Sequence, residues 1–181
     1  MATEPPRRLL VTGPSNVGKT RTTARLFEEF VEQNGPEGVV LLDFAPELER
    51  EGRLLGGRLT RFVDPGEAWY GAIEAHAPRA EGDSDEAALA LARENGGVAG
   101  ELLAVAPVAP RAVFVNDATI PYQDPDRDPE RLLAYLEPAE RVVLNALASD
   151  ELGTDDPVSR AEKAALERFR EWADREQQLE G

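Results

Sequence analysis

The sequence predicts an α/β domain in which a mainly parallel sheet is covered by helices on both faces. Three observations lead there. Four short runs, at residues 9–12, 38–43, 112–117 and 141–145, are almost wholly apolar, as strands buried between two layers are. The last three end in Asp43, Asp117 and Asn145, and in open α/β sheets the carboxyl ends of the strands are where ligands bind. Stretches with helical spacing separate the runs, which is the alternation of a three-layer fold.

The elements follow in chain order. Leu9-Leu10-Val11-Thr12 leads into a glycine loop, as a buried strand does. From Gly18, Ala24, Leu26, Phe27, Phe30 and Val31 recur near helical spacing until Asn34-Gly35-Pro36 stops the helix. Gly38 to Asp43 is the second strand. An insert over 44–110 then intervenes; its first half has no sustained period and is expected to form loops with short helices. Asp83-Ser84-Asp85-Glu86 reads as a capping box for a helix running toward Ala104, with a break or kink at Asn95-Gly96-Gly97. Ala112 to Asp117 is the third strand, and Asp128-Pro129 starts a short helix through Leu136. After the fourth strand, Arg141 to Asn145, Ser159-Arg160-Ala161-Glu162 opens the last helix, with Leu166, Phe169 and Trp172 on one face. No repeat or linker interrupts the chain, so residues 1–181 read as a single domain.

Composition removes whole classes of function. Thirty-five acidic against twenty basic residues give a formal charge of -15, which opposes a nucleic-acid module. No run has the length of a membrane span, and MATEPPRRLL is not read as a signal peptide, so a cytoplasmic location away from membranes is expected. The absence of cysteine excludes disulfides, thiolate zinc sites and iron–sulfur clusters, and a lone His76 excludes a multi-histidine metal site. Only Lys19 and Lys163 are lysines. Acid excess with scarce lysine fits adaptation to concentrated salt, where screening blunts repulsion; a GC-rich genome gives the same bias, and both readings stay open.

One motif carries chemistry. Gly13-Pro14-Ser15-Asn16-Val17-Gly18-Lys19-Thr20 matches G-x-x-x-x-G-K-[ST] without a gap, between a strand and an amphipathic helix. The glycines let the loop curl so that backbone N–H groups face phosphate oxygens, and the helix start adds its positive dipole end. In this motif the chain resembles the P-loop NTPases, specifically over residues 8–34 and in architecture beyond. The resemblance implies a three-layer P-loop domain that binds ATP or GTP with Mg²⁺ through residues 13–20 and Arg21. Lys19 would serve the β- and γ-phosphates, and Thr20 the metal. It also implies an acid at the end of a neighbouring strand. Asp117 is favoured for the metal and Asp43 for activating water or substrate, although either fits both roles.

Departures from the better-defined families narrow the reading. Pro14 stands where partition ATPases carry an early lysine. Asp117-Ala118-Thr119-Ile120 lacks the glycine of D-x-x-G, and Asn145 to Asp150 is not N-K-x-D. ATP is therefore slightly preferred over GTP, and in layout the chain is nearest to small kinases and metallochaperone GTPases. The insert offers Arg50, Arg53, Arg58, Arg61 and Arg79 with Trp69, Tyr70 and His76. Of these Arg58, Arg61 and Arg79 are candidates for phosphate or an anionic acceptor, against simple pairing with the many glutamates. Trp69-Tyr70 and His76 read as packing residues. Thr119 to Asp124 is a candidate switch near the terminal phosphate, and Asp124, Asp126 and Asp128 form a solvated acidic turn, not a calcium loop. The leading expectation is slow NTP hydrolysis. The alternatives are a small-molecule kinase with its acceptor pocket in the insert, and a nucleotide-dependent switch or assembly protein with a protein partner or an oligomeric state.

Overall fold

In the computed structural model the described residues are 4–150 and 153–181, with the side chains of Arg50 and of 53–56 outside them. The arginines at 50 and 53 offered by the sequence thus lie outside the described side chains. Six strands form one wholly parallel sheet: β1 (Arg8–Gly13), β2 (Val39–Asp43), β5 (Trp69–Ala72), β6 (Ala112–Asn116), β7 (Arg141–Leu147) and β8 (Arg175–Gln178), in the spatial order β5-β2-β6-β7-β1-β8. A separate antiparallel hairpin joins β3 (Glu47–Arg50) to β4 (Arg53–Gly56). The helices among the described residues are α1 (Lys19–Asn34), α2 (Pro78–Glu81), α3 (Asp85–Val105), α4 (Glu130–Leu136) and α5 (Pro157–Trp172). None is long and apolar enough to cross a membrane.

Strand alternation divides the apolar residues between two cores. Leu9, Val11, Val39, Leu41, Phe114 and Val143 meet Ala24, Phe27 and Phe30 of α1 on one face. Leu10, Val40, Leu42, Val113, Val115 and Leu144 meet α3, α4 and α5 on the other. Phe114, fully buried, takes Phe27 and Phe30 edge-on at 5.6 and 6.0 Å. Truncating such a ring to alanine costs about 3–5 kcal/mol.

The structure departs from the sequence reading at several points. The first half of the insert has the expected loops and short helical pieces, a 3-10 turn at Leu59–Arg61 and α2, but it also holds the β3–β4 hairpin and the edge strand β5, which the sequence reading missed. At the other edge β8, with sequence REQQ, is mostly exposed and has no apolar period. It exists because its backbone pairs with Leu9 to Thr12 of β1. Asn95-Gly96-Gly97 does not interrupt α3. A β-carbon on Gly96 would sit 3.1 Å from the Pro121 carbonyl oxygen and from Arg127 Cγ, so the glycine is there for close packing, while Asn95 brackets the His76 backbone at 2.8 and 2.9 Å. Helix α5 begins two residues before Ser159, capped by Asp156, whose Oδ1 accepts from Ser159 N at 2.9 Å.

Candidate active site

The site is built at the carboxyl ends of the strands, from the loop after β1 outward. At Gly13 a β-carbon would lie 2.7 Å from the Leu179 carbonyl oxygen and 2.9 Å from Val17 Cγ1, so only glycine lets the loop leave between its own tip and the end of β8. Gly18 stands at φ +103° immediately before α1, a backbone state that side chains rarely adopt. Lys19, 8% exposed, folds beneath the loop and donates to the Pro14 carbonyl at 2.5 Å. Ser15, Asn16, Val17, Gly18, Lys19, Thr20 and Arg21 all line one cleft of about 420 Å³.

Beneath the cleft lies a buried amide network. Thr20 Oγ1 donates to Asn116 Oδ1 at 3.1 Å, and that oxygen also accepts from Asn145 Nδ2 at 2.9 Å. The second hydrogen of Asn145 reaches Thr23 Oγ1 at 2.8 Å, and Asn116 Nδ2 donates to Asp43 Oδ1 and to the Gly57 carbonyl at 2.9 and 2.8 Å. Asn145 Oδ1 accepts from the backbone N–H of Asp117 at 2.8 Å, where φ is +53°. An amide two residues before the end of β7 thus holds the neighbouring strand's acid in a conformation worth about 1–2 kcal/mol of strain.

The two acids differ sharply. Asp117 lies one residue past the end of β6, not on it, and opens to the cleft. Burial pushes its pKa up to about 7, Lys19 pulls it down, and Asp43 and Glu162 push it further up. Its strand is not the neighbour of β1, as the sequence reading required; β7 lies between them. Asp43 is fully buried and does not line the cleft. Its Oδ2 accepts from Leu59 N and Tyr70 Oη, both at 2.8 Å, and its Oδ1 from Asn116. Burial raises its pKa, against the lowering effect of those bonds. A carboxylate so engaged anchors the insert to the sheet and does not face the cleft.

The far wall comes from the insert and α5. Glu162, 6% exposed, accepts from Thr119 Oγ1, Gln123 Nε2 and Arg79 Nη2 at 2.9, 3.0 and 2.7 Å. Arg79 also donates to Ser159 Oγ at 3.0 Å. Sequence reasoning passed over Glu162, although it falls on the buried face of α5 with Ala165, Leu166 and Phe169. A carboxylate at an apolar-face position is the signal that finds it. Asn116 and Asn145 carried a similar signal, as polar residues that follow apolar runs.

Of the three candidate arginines, Arg61 and Arg79 line the cleft and Arg58 does not. Arg58 Nη2 donates to the Ile73 carbonyl at 2.9 Å, bracing the insert. Tyr70 packs and bonds in β5 as expected of a structural residue, and His76 pairs with Glu94 at 2.8 Å outside the cleft. Asp124 is not part of a solvated turn: it is 4% exposed and faces Arg127 and Arg93 at 3.7 and 4.0 Å. Among the described residues no three acidic or histidine side chains gather as a metal cage. No family model, curated protein or solved structure matches the chain.

Proposed function

We propose that the chain binds a nucleoside triphosphate with Mg²⁺ at the 13–21 loop and hydrolyses it slowly. The observation that carries this reading is the charge of the cleft. In a chain of 35 acidic and 20 basic residues, its ionisable lining is Lys19, Arg21, Arg61 and Arg79 against Asp117 and Glu162. A cation-rich concavity in an acidic molecule selects an anion, and the start of the 16-residue α1 adds its dipole there.

Lys19 would exchange the Pro14 carbonyl for the β- and γ-phosphates, and the loop N–H groups would cradle the chain of phosphates. The residues present fit a magnesium ion, which takes one or two protein oxygens and completes its shell with water and phosphate. Thr20 and Asp117 both line the cleft and offer a hydroxyl and a carboxylate. When bound, the ion would neutralise charge on the phosphates. The raised pKa of Asp117 marks a carboxylate that lacks a sufficient counter-charge, and a divalent cation would keep it ionised. Asn145 and Asn116 position Asp117 and Thr20 without meeting the ligand. The segment after β7 lacks the N-K-x-D motif that reads guanine, so ATP is the slightly preferred nucleotide.

Calorimetric titration with ATP and GTP, each with Mg²⁺, in molar KCl tests the reading. Saturable binding that Lys19→Ala abolishes, with the melting temperature kept, is expected. Equal binding or turnover by that variant would remove Lys19 from the site, and no binding by the folded wild type would end the proposal. The arginines that the insert brings to the cleft favour phosphoryl transfer to a small acceptor as the second reading, over a switch without chemistry.

A further inference from the structure

The cleft has two halves of different origin. One is the loop and the first turn of α1. The other comes from the insert, which supplies Pro46, Gly57, Arg61 and Phe62 on one side and the segment Ala77 to Ala80 on the other. The nucleotide and its metal are assigned to the first half together with Asp117, whereas Arg61 and Arg79, which add to the charge of the whole cleft, stand in the second.

The insert half has its own chemistry. Phe62 is 41% exposed although it lines a concave site, while the other exposed large apolar side chains among the described residues, Val98, Val105 and Val108, lie outside the cleft. The Arg21 guanidinium lies over the Phe62 ring at 5.1 Å, and Arg61 is its chain neighbour. Arg61 Nε rests on Glu47 at 2.9 Å in a solvent-exposed pair, which holds it with little energy and releases it cheaply. Arg79, across the cleft, is kept in place by its nearly buried pair with Glu162. An exposed ring among guanidinium groups is complementary to a flat organic body carrying an oxyanion: the ring covers the apolar part, and the planar forks take the oxygens.

We propose that the insert half of the cleft, built on Arg61, Phe62 and Arg79, binds a second substrate: a small organic anion joining a planar apolar body to a carboxylate or phosphate. This rests on the nucleotide reading of the loop half. Arg61 is the residue recruited from Glu47, and Arg79 is the fixed cation opposite. A hydroxyl on the same body makes the anion a phosphoryl acceptor. Its oxygen then bonds to the terminal phosphorus as the bond from that phosphorus to the bridging oxygen breaks. The nucleoside diphosphate leaves with the electron pair, and the hydroxyl proton passes to solvent.

The experiment uses the full chain in molar KCl, saturated with Mg²⁺ and a hydrolysis-resistant β,γ-imido ATP, titrated separately with phenyl phosphate and with benzoate. One of the two is expected to bind saturably without displacing the nucleotide, and the stronger of them identifies the acid group. Arg61→Gln and Phe62→Ala, both at exposed positions, should each weaken that probe about tenfold, the loss of one charge-assisted contact or one stacked ring. Absence of probe binding at millimolar concentration overturns the proposal. So does displacement of the nucleotide by the probe, or unchanged probe affinity in both variants. Should the imido nucleotide fail to bind while the probes bind with Arg61 dependence, the nucleotide reading falls and the anion site stands.

Discussion

The ends of β2 and β6 are the instructive pair. Each is an apolar run closing on an aspartate, and along the chain nothing separates Asp43 from Asp117. In space they have opposite lives. The insert folds back over β2, bringing Leu59 N and Tyr70 Oη onto Asp43 and sealing it from the cleft. At the end of β6, Asn145 instead accepts from the Asp117 backbone N–H, and Asp117 lines the cleft within the field of Lys19. The lesson is that a carboxylate's role follows from which donors the tertiary structure has already committed to it, not from its place at a strand end.

Four experiments sharpen or break that contrast. The largest effect is expected from Asp43→Ala, which leaves the Tyr70 hydroxyl, the Leu59 N–H and one Asn116 hydrogen without their acceptor. Urea unfolding should show a loss of about 3 kcal/mol, at about 1 kcal/mol per bond. Stability unchanged in that variant would mean that Asp43 is no anchor. Next comes Asp117→Ala, which should lower Mg²⁺-dependent NTP turnover roughly a hundredfold, the scale of losing one electrostatic element of a site, with the melting temperature maintained. If Asp43→Ala, once folded, lost turnover and Asp117→Ala did not, the two assignments would be reversed.

A smaller effect lies in the pH dependence. The folded-state pKa of Asp117, about 7, exceeds its ordinary 3.8, so between those values the folded state holds the extra proton. Its contribution to stability is therefore complete below the lower value and is lost as pH climbs through the higher one. In metal-free buffer the wild type should lose about 1–2 kcal/mol more than Asp117→Asn over that interval, less than the full shift because the group is partly exposed to the cleft. Parallel stability curves for the two proteins would show that Asp117 titrates as an ordinary surface acid. The smallest effect belongs to Tyr70→Phe, which removes one of the bonds to Asp43. It should cost about 1 kcal/mol and leave nucleotide binding as it was, read by thermal melting beside calorimetry.

Much of this was legible in one dimension. The strands β1, β2, β6 and β7 are all but continuous apolar runs, and α1 and α5 show an apolar stripe, because burial between layers imposes those patterns on the chain itself. The loop between β1 and α1 was legible too, from its glycines and its place between an apolar run and a helical stripe. Strand β8 was not, since REQQ becomes a strand only through backbone bonds to β1 and buries almost nothing. Nor was the continuity of α3 through Asn95-Gly96-Gly97, which depends on the segment from Pro121 to Arg127 packing against Gly96. Glu162 announced itself only weakly, as one acid on an apolar face.

By itself, then, the sequence determined the α/β class, the order of the principal elements and the loop with Lys19 and Thr20, because each is written in residues near one another along the chain. The tertiary structure alone decided that β7 separates β1 from β6, that Asp117 and not Asp43 opens to the cleft, and that Arg61 and Arg79 reach it while Arg58 does not. Those outcomes depend on which distant groups meet and satisfy one another's hydrogen bonds, and no periodicity or spacing encodes that.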